Sequence, residues 1–123
     1  MPQMAQNDFL DAFLTATITE TEPAKAALSR VKFTKFLVEE FGTNEHRNYS
    51  KMSVRYIGIG AFKHQDPDVR QAGQDLVILL YKVDPKTIRV VMPEDNSNTR
   101  RSHAYKYVFE EMDRYDRKLR KNI

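Results

Sequence analysis

The chain has 123 residues, enough for one domain with one core. It is 41% hydrophobic and 30% charged and carries no cysteine, which excludes a disulfide framework and any thiolate metal site. Its net charge of +3 is unevenly spread: residues 1–46 hold four Lys/Arg against seven Asp/Glu, and residues 47–123 hold sixteen against ten. A basic C-terminal half steers acidic partners by long-range attraction. No apolar run approaches the roughly 20 residues of a membrane span, and the N-terminus lacks the basic and apolar regions of a signal peptide. The expected setting is the cytosol, with no membrane partner.

The pattern predicts helices joined by short connections. The first runs from Asp8 to about Ile18, capped by Asn7 or Asp8, with Phe9, Leu10, Phe13 and Leu14 apolar. The second runs from Pro23 to Phe41, with Leu28, Val31, Phe36, Leu37 and Phe41 on one side and Gly42 as its stop. After a loop at 43–48, a third spans about Tyr49 to Phe62, with Met52, Tyr56, Ile57 and Ile59 inward. Gly58 and Gly60 each cost this helix about 1 kcal/mol relative to Ala, so close approach of a neighbour is expected there. The fourth runs from Pro67 to about Val83. Its Val69, Ala72, Gly73, Leu76, Val77 and Leu80 recur at helical spacing. Asp84-Pro85 ends it. Residues 86–91 read as a short helix, or as a short strand because Ile88, Val90 and Val91 favour β structure. The last helix is expected from near Asn98, with Tyr105, Val108, Phe109, Met112 and Leu119 as its apolar stripe and a fraying basic end. The domain is placed at residues 8–117, between a flexible N-terminus (1–7) and a basic tail (118–123).

Two segments repeat weakly. Glu22-Pro23 and Asp66-Pro67 each set an acid before Pro at a helix start, as capping chemistry favours. The prolines are 44 residues apart, inside the roughly 40–47 residue period of HEAT-type helix pairs. The fold class is therefore all-α, a stack of antiparallel helix pairs of HEAT type, with Phe36, Leu37, Ile57, Leu76, Leu80, Val108 and Phe109 in one core.

No constellation meets the geometry of an active site. His46, His64 and His103 have no ligand spacing, and there is no phosphate loop or nucleophile elbow. The adjacent pairs Glu39/Glu40 and Glu110/Glu111 do not converge. No enzyme activity, metal or cofactor is expected. Aromatics alternate with cations at Tyr105, Tyr107, Phe109 and Tyr115, which would suit nucleic-acid stacking, but their helical spacing favours core packing.

The most specific segment is Pro93-Glu94-Asp95-Asn96-Ser97-Asn98-Thr99-Arg100-Arg101-Ser102-His103-Ala104-Tyr105-Lys106-Tyr107-Val108-Phe109-Glu110. With Asp68-Val69-Arg70 opening a helix and Leu79-Leu80-Tyr81 closing it, this wording resembles the tubulin-binding TOG domain of the 104-kilodalton centrosomal protein family. The resemblance covers roughly residues 8–117 and corresponds to the C-terminal half of that domain; Tyr115-Asp116-Arg117 departs from it. It implies a tubulin-binding module of a ciliary-tip or centriolar protein that supports microtubule growth or stability. The implied partners are αβ-tubulin or microtubule ends, with other ciliary-tip or centriolar proteins as further candidates. The alternative is a HEAT-type scaffold that binds another protein without touching tubulin.

In TOG domains the turns within each helix pair touch tubulin. Here those turns are Thr19-Glu20-Thr21-Glu22 and Lys63-His64-Gln65-Asp66. The implied contacts are Lys25 and Lys63, together with His64, Arg100 and Arg101. Against this, a histidine in a turn is expected to face solvent, Asp66 to act as a cap, and Arg70 to pair with a neighbouring acid. Arg100 and Arg101 at a helix start oppose its dipole, so they need an outside partner or an internal acid such as Glu94 or Asp95, the internal acid being preferred. The resemblance also implies further repeats before the first helix. That end of the stack is therefore expected to self-associate or to be covered by residues 1–7.

Overall fold

The computed structural model describes residues 12–41 and 49–121. Residues 12–15 are helical (α1). Helix α2 is Ala24–Phe41. Helix α3 has three parts: Tyr49–Met52, a π-helical stretch Ser53–Gly58, and Ile59–Ala61. Then come α4 (Pro67–Val83), α5 (Pro85–Val91), a 3-10 turn (Thr99–Arg101) and α6 (His103–Lys121). Among the described residues there is no strand, which confirms the all-α class and resolves 86–91 as a helix.

Helix α4 is the axis of the fold, packing on α2, α3, α5 and α6. Its sequence explains why it forms and where it stops. Asp66 accepts the Asp68 amide at 2.8 Å and Pro67 takes the first turn. Asp84, with Pro85 after it, closes α4 and caps α5 by accepting the Thr87 amide at 3.4 Å. Val69, Gly73, Leu76, Val77, Leu80 and Tyr81 are buried.

The α3–α4 crossing is close because both helices lack side chains where they meet. A Cβ at Gly73 would lie 2.6 Å from Ala61 Cβ and 2.7 Å from the Gly58 carbonyl. One at Gly58 would lie 2.6 Å from Val77 Cγ2. As α3 advances from Gly58 to Ala61 its partners on α4 step back from Val77 to Gly73, so the pair is antiparallel. Gly60 receives an extended segment rather than a helix. A Cβ there would meet the Ile18 backbone at 3.0 and 3.1 Å, and the Ile18 amide donates to the Tyr56 carbonyl at 3.1 Å.

The π-helical stretch was not expected. The buried residues of α3 pair up at 53/54, 57/58 and 61/62. Steps of four drift about 40° around a 3.6-residue turn, and the wider turn of a π stretch drifts the other way. Combining the two keeps one face on α4.

Other expectations are adjusted. Ile57, Leu76, Leu80, Val108 and Phe109 are buried, but Leu37 is half-buried and Phe36 is 49% exposed, stacking on Phe33 at 6.4 Å. Leu14 is buried and the Phe13 edge packs on Phe33 at 5.1 Å; Phe9, Leu10, Gly42 and the segments 1–7 and 43–48 lie outside the described residues. The last helix starts at His103, after a break at extended Ser102, not near Asn98. It continues to Lys121 rather than fraying from Arg117, because Lys118, Arg120 and Lys121 suit the negative end of the helix dipole. Its Leu119 is exposed.

Leu76→Ala should cost about 2–5 kcal/mol, read by urea denaturation, because a buried leucine leaves a cavity. Gly73→Ala should also destabilise, by about 1–3 kcal/mol, since the facing backbone cannot give way. That outcome is opposite in sign to the gain of about 1 kcal/mol that helix propensity alone would give.

Candidate functional site: an edge of paired turns

The N-termini of α2 and α4 lie together, and hydrogen bonds lock the turns before them side by side. His64 is only 3% exposed. Its Nε2 is 2.6 Å from the Glu22 carbonyl, and its Nδ1 accepts the Asp66 amide at 3.0 Å. An acceptor at Nδ1 fixes the proton on Nε2, which donates to Glu22. The Gln65 amide donates to the Glu20 carbonyl at 3.4 Å.

Two arginines brace this pair from below. Arg70 Nη1 donates to the carbonyls of His64 (2.7 Å) and Gln65 (2.9 Å). Arg30 pairs with Glu22 at 2.6 Å and donates to the Ala16 carbonyl. Arg70 thus holds turn carbonyls instead of the expected acid, and His64 is a buried rivet instead of a solvent-facing side chain. Asp66 is the expected cap. Glu22 is not a cap: helix α2 begins one residue later than expected, and the Glu22 carboxylate is held by Arg30. Lys25 and Lys63 are exposed, one beside each turn, and among the described residues no acid pairs with either.

Helix α6 runs alongside α4 in the same direction. Phe62 touches Tyr105 at 5.1 Å at one end, and Tyr81 meets Asp116 and Tyr115 at the other. The connection 92–102 therefore leads to the N-terminal end of α6, on the side where the two turns lie. Arg100 does not reach out from it. Its Nε and Nη2 hold Asp95 at 2.6 and 2.8 Å, Nη2 also reaches Asp113 at 2.9 Å, and its guanidinium lies 5.5 Å from the Phe109 ring centre. The hydrogen bond from Arg100 holds the Asp95 carboxyl below the usual carboxylate range, and Asp95 and Asp113 together raise the Arg100 guanidinium further still. The internal acid preferred from the sequence is therefore Asp95. Neither arginine sits in the first turn of α6, where it would oppose the dipole, because both lie in the separate 3-10 turn. Arg101 is exposed, and no acid among the described residues pairs with it.

A second cluster adjoins this one and was not foreseen. Tyr81 donates to Asp116 (2.7 and 2.9 Å), and Arg89 reaches Tyr81 Oη, Asp113 and Asp116 at 3.2–3.3 Å. Burial first, then the Asp116 carboxylate, pushes the Tyr81 phenol up. Burial opposes the charge on Arg89, but its bonds to Tyr81, Asp113 and Asp116 outweigh that and raise it. The only sequence signal was the i, i+3 spacing of Asp113 and Asp116 on one helix face.

The described residues contain no cluster of His, Asp and Glu that could hold a metal ion, and no described helix is long and apolar enough to cross a membrane. The fold and the edge together define a helix-pair stack that presents a row of turns.

The chain is similar to curated proteins named centrosomal protein of 104 kDa. It is 24% identical to the Homo sapiens protein, and 25% identical to those of Rattus norvegicus and Mus musculus, over 101 residues in each case. The match covers 82% of this chain and 11% of each relative's length. The resemblance stated from the residues is thus found again by direct comparison. No protein-family model matches the chain, and no solved structure matches it.

His64→Ala should destabilise the fold by about 1–3 kcal/mol, since it orphans a buried carbonyl and amide. Faster hydrogen exchange at the Asp66 amide would report the loosened turns. Acid stability should follow Asp95. Its folded value is lowered, so its contribution is present above the ordinary value of about 3.9 and is lost as pH falls through the folded value. Asp95→Asn should flatten the fall in melting temperature below about pH 4.

Proposed function

We propose that this chain is a non-catalytic, tubulin-binding module of TOG and HEAT type from a centrosomal or cytoskeletal protein, acting at microtubule ends in centrioles or at the ciliary tip. The observation that carries the reading is the pair of hydrogen-bonded turns with Lys25 and Lys63 exposed beside them. The similarity to the 104-kDa centrosomal proteins supports it. A rigid loop edge bearing cations suits a folded acidic surface, because the helices fix where each charge sits and little ordering is needed on contact. His64 then acts by holding the turns rather than by touching the partner. Arg100 likewise shapes the 92–102 connection, and Arg101 is the cation left free there.

The count of free cations bounds the strength. Exposed charge pairs contribute about 0.2–1 kcal/mol each, so Lys25, Lys63 and Arg101 together support only weak, salt-sensitive binding. That same scarcity favours the second reading, a scaffold of helix pairs that binds a different protein.

The test is co-elution with αβ-tubulin. Wild type should co-elute at low salt. Binding should fade as the Debye length falls from about 10 Å at 0.1 M to about 3 Å at 1 M. Lys25→Glu with Lys63→Glu should abolish it with helicity unchanged, as both side chains are exposed. Equal binding by the double variant would move the contact elsewhere and leave the scaffold reading in front.

A further inference from the structure

The opposite end of the stack carries a second charged surface, and it does not depend on the tubulin reading. The C-terminal ends of α4 and α6 lie together there, joined by Tyr81–Tyr115 (6.1 Å) and by Tyr115 Oη donating to the Lys82 carbonyl at 3.4 Å. The last two turns of α6 carry Arg114, Arg117, Lys118, Arg120 and Lys121, all exposed. Asp116 is the one acid among them, and Arg89 and Tyr81 already hold it. Arg114 pairs with Glu111 at 2.5 Å; among the described residues no acid pairs with Arg117, Lys118, Arg120 or Lys121.

This contrasts with the four arginines that brace the rest of the fold. Arg30, Arg70, Arg89 and Arg100 are each consumed by internal acids or carbonyls. Four cations within five residues, with no acid of the described residues paired to them, repel one another, and the helix dipole, equivalent to about half a charge, offsets only part of that. The surface is also not purely charged. Leu119 and Val83 are 44% and 48% exposed, Tyr115 is half-buried one helical turn before Leu119, and Lys82, next to Val83, lies 5.9 Å from the Tyr115 ring centre. Exposed aliphatic side chains with cations next to them in sequence match a ligand with apolar anchors among acids.

We propose that the C-terminal end of α6, with Val83 and Lys82 of α4, is a docking surface for an acidic peptide segment that carries aliphatic or aromatic anchor residues. A phosphate backbone fits less well. It would use the cations, but it would cover Leu119 and Val83 without apolar partners, and Lys82 already lies over the Tyr115 ring.

The experiment uses the whole 123-residue chain and fluorescence anisotropy with three labelled probes. These are a Glu/Asp-rich peptide with two Leu/Phe anchors, the same peptide with the anchors changed to Ser, and a single-stranded DNA oligonucleotide. The anchored peptide should bind most tightly, losing about tenfold in affinity when its anchors become Ser. Lys118→Glu with Lys121→Glu should weaken it by at least about tenfold. Leu119→Ser should weaken the anchored peptide but leave the Ser peptide unchanged, a readout that loss of charge alone would not give. Lys25→Glu with Lys63→Glu should leave all three probes unaffected, which separates this surface from the edge of turns. No peptide binding, or DNA binding tighter than the anchored peptide and indifferent to Leu119→Ser, would overturn the proposal.

Discussion

Everything in this fold rests on how closely α3 can approach α4. Two glycines, Gly58 and Gly73, leave no side chain at the crossing, and the next contact on each side is a buried Val77 or Ala61. With α3 seated so near, α4 exposes enough of its remaining surface to bury α2 on one flank and α5 and α6 on others. The glycines weaken each helix in isolation, so the helices gain their stability from the packing that the glycines permit. The loop positions inherit that geometry. Turn 63–66 is where it is because α3 ends there at a fixed height against α4, and turn 19–22 is held against it by His64 and by the Gln65–Glu20 bond.

The distribution of arginines divides the molecule into structural and free charge. Along α5, the 92–102 connection and α6, two arginines pair with three aspartates in a network that reaches Tyr81. Helix α5 has seven residues against seventeen in α4, so a long irregular connection must cover the remaining length of α6. That connection has few backbone partners of its own. Arg100 bonds both Asp95 and Asp113 and so ties the connection to α6, Arg89 lies 3.8 Å from Asp95 as an ion pair, and Asn96 accepts the Thr99 amide at 2.9 Å at the start of the 3-10 turn. This network ties up more acids than bases, so it does not reduce the basic excess of the rest of the C-terminal half, and exposed cations crowd at the end of α6.

Helix α4 was legible almost to the residue, because it combines an Asp cap, Pro in the first turn, an unbroken apolar period and a closing Asp-Pro. The two close-approach glycines were legible as a cost without local compensation. Less legible was anything decided by side chains reaching across the chain. Arg70 looks like any helix arginine until His64 and Gln65 place their carbonyls above it, and His64 looks like a loop histidine until Glu22, forty-two residues away, supplies its acceptor. Phe36 fits the apolar stripe of α2 by spacing, but the stripe is wider than the face α4 covers, and Phe33 and Phe36 remain partly open. The start of α6 was misplaced because Thr99–Arg101 does form a helical turn, tighter than α, and only the extended backbone of Ser102 separates it from the helix.

The use of both nitrogens of His64 has a mechanical consequence. A ring that donates to one turn and accepts from the next leaves neither turn free to relax alone, so a force applied at Lys63 is shared with the backbone beside Lys25. Whatever seats on this edge meets a single stiff ridge and not two independent loops. Two contacts made to such a ridge behave as one bivalent contact with its spacing already set, and they will accept or reject a surface according to the distance between that surface's charges.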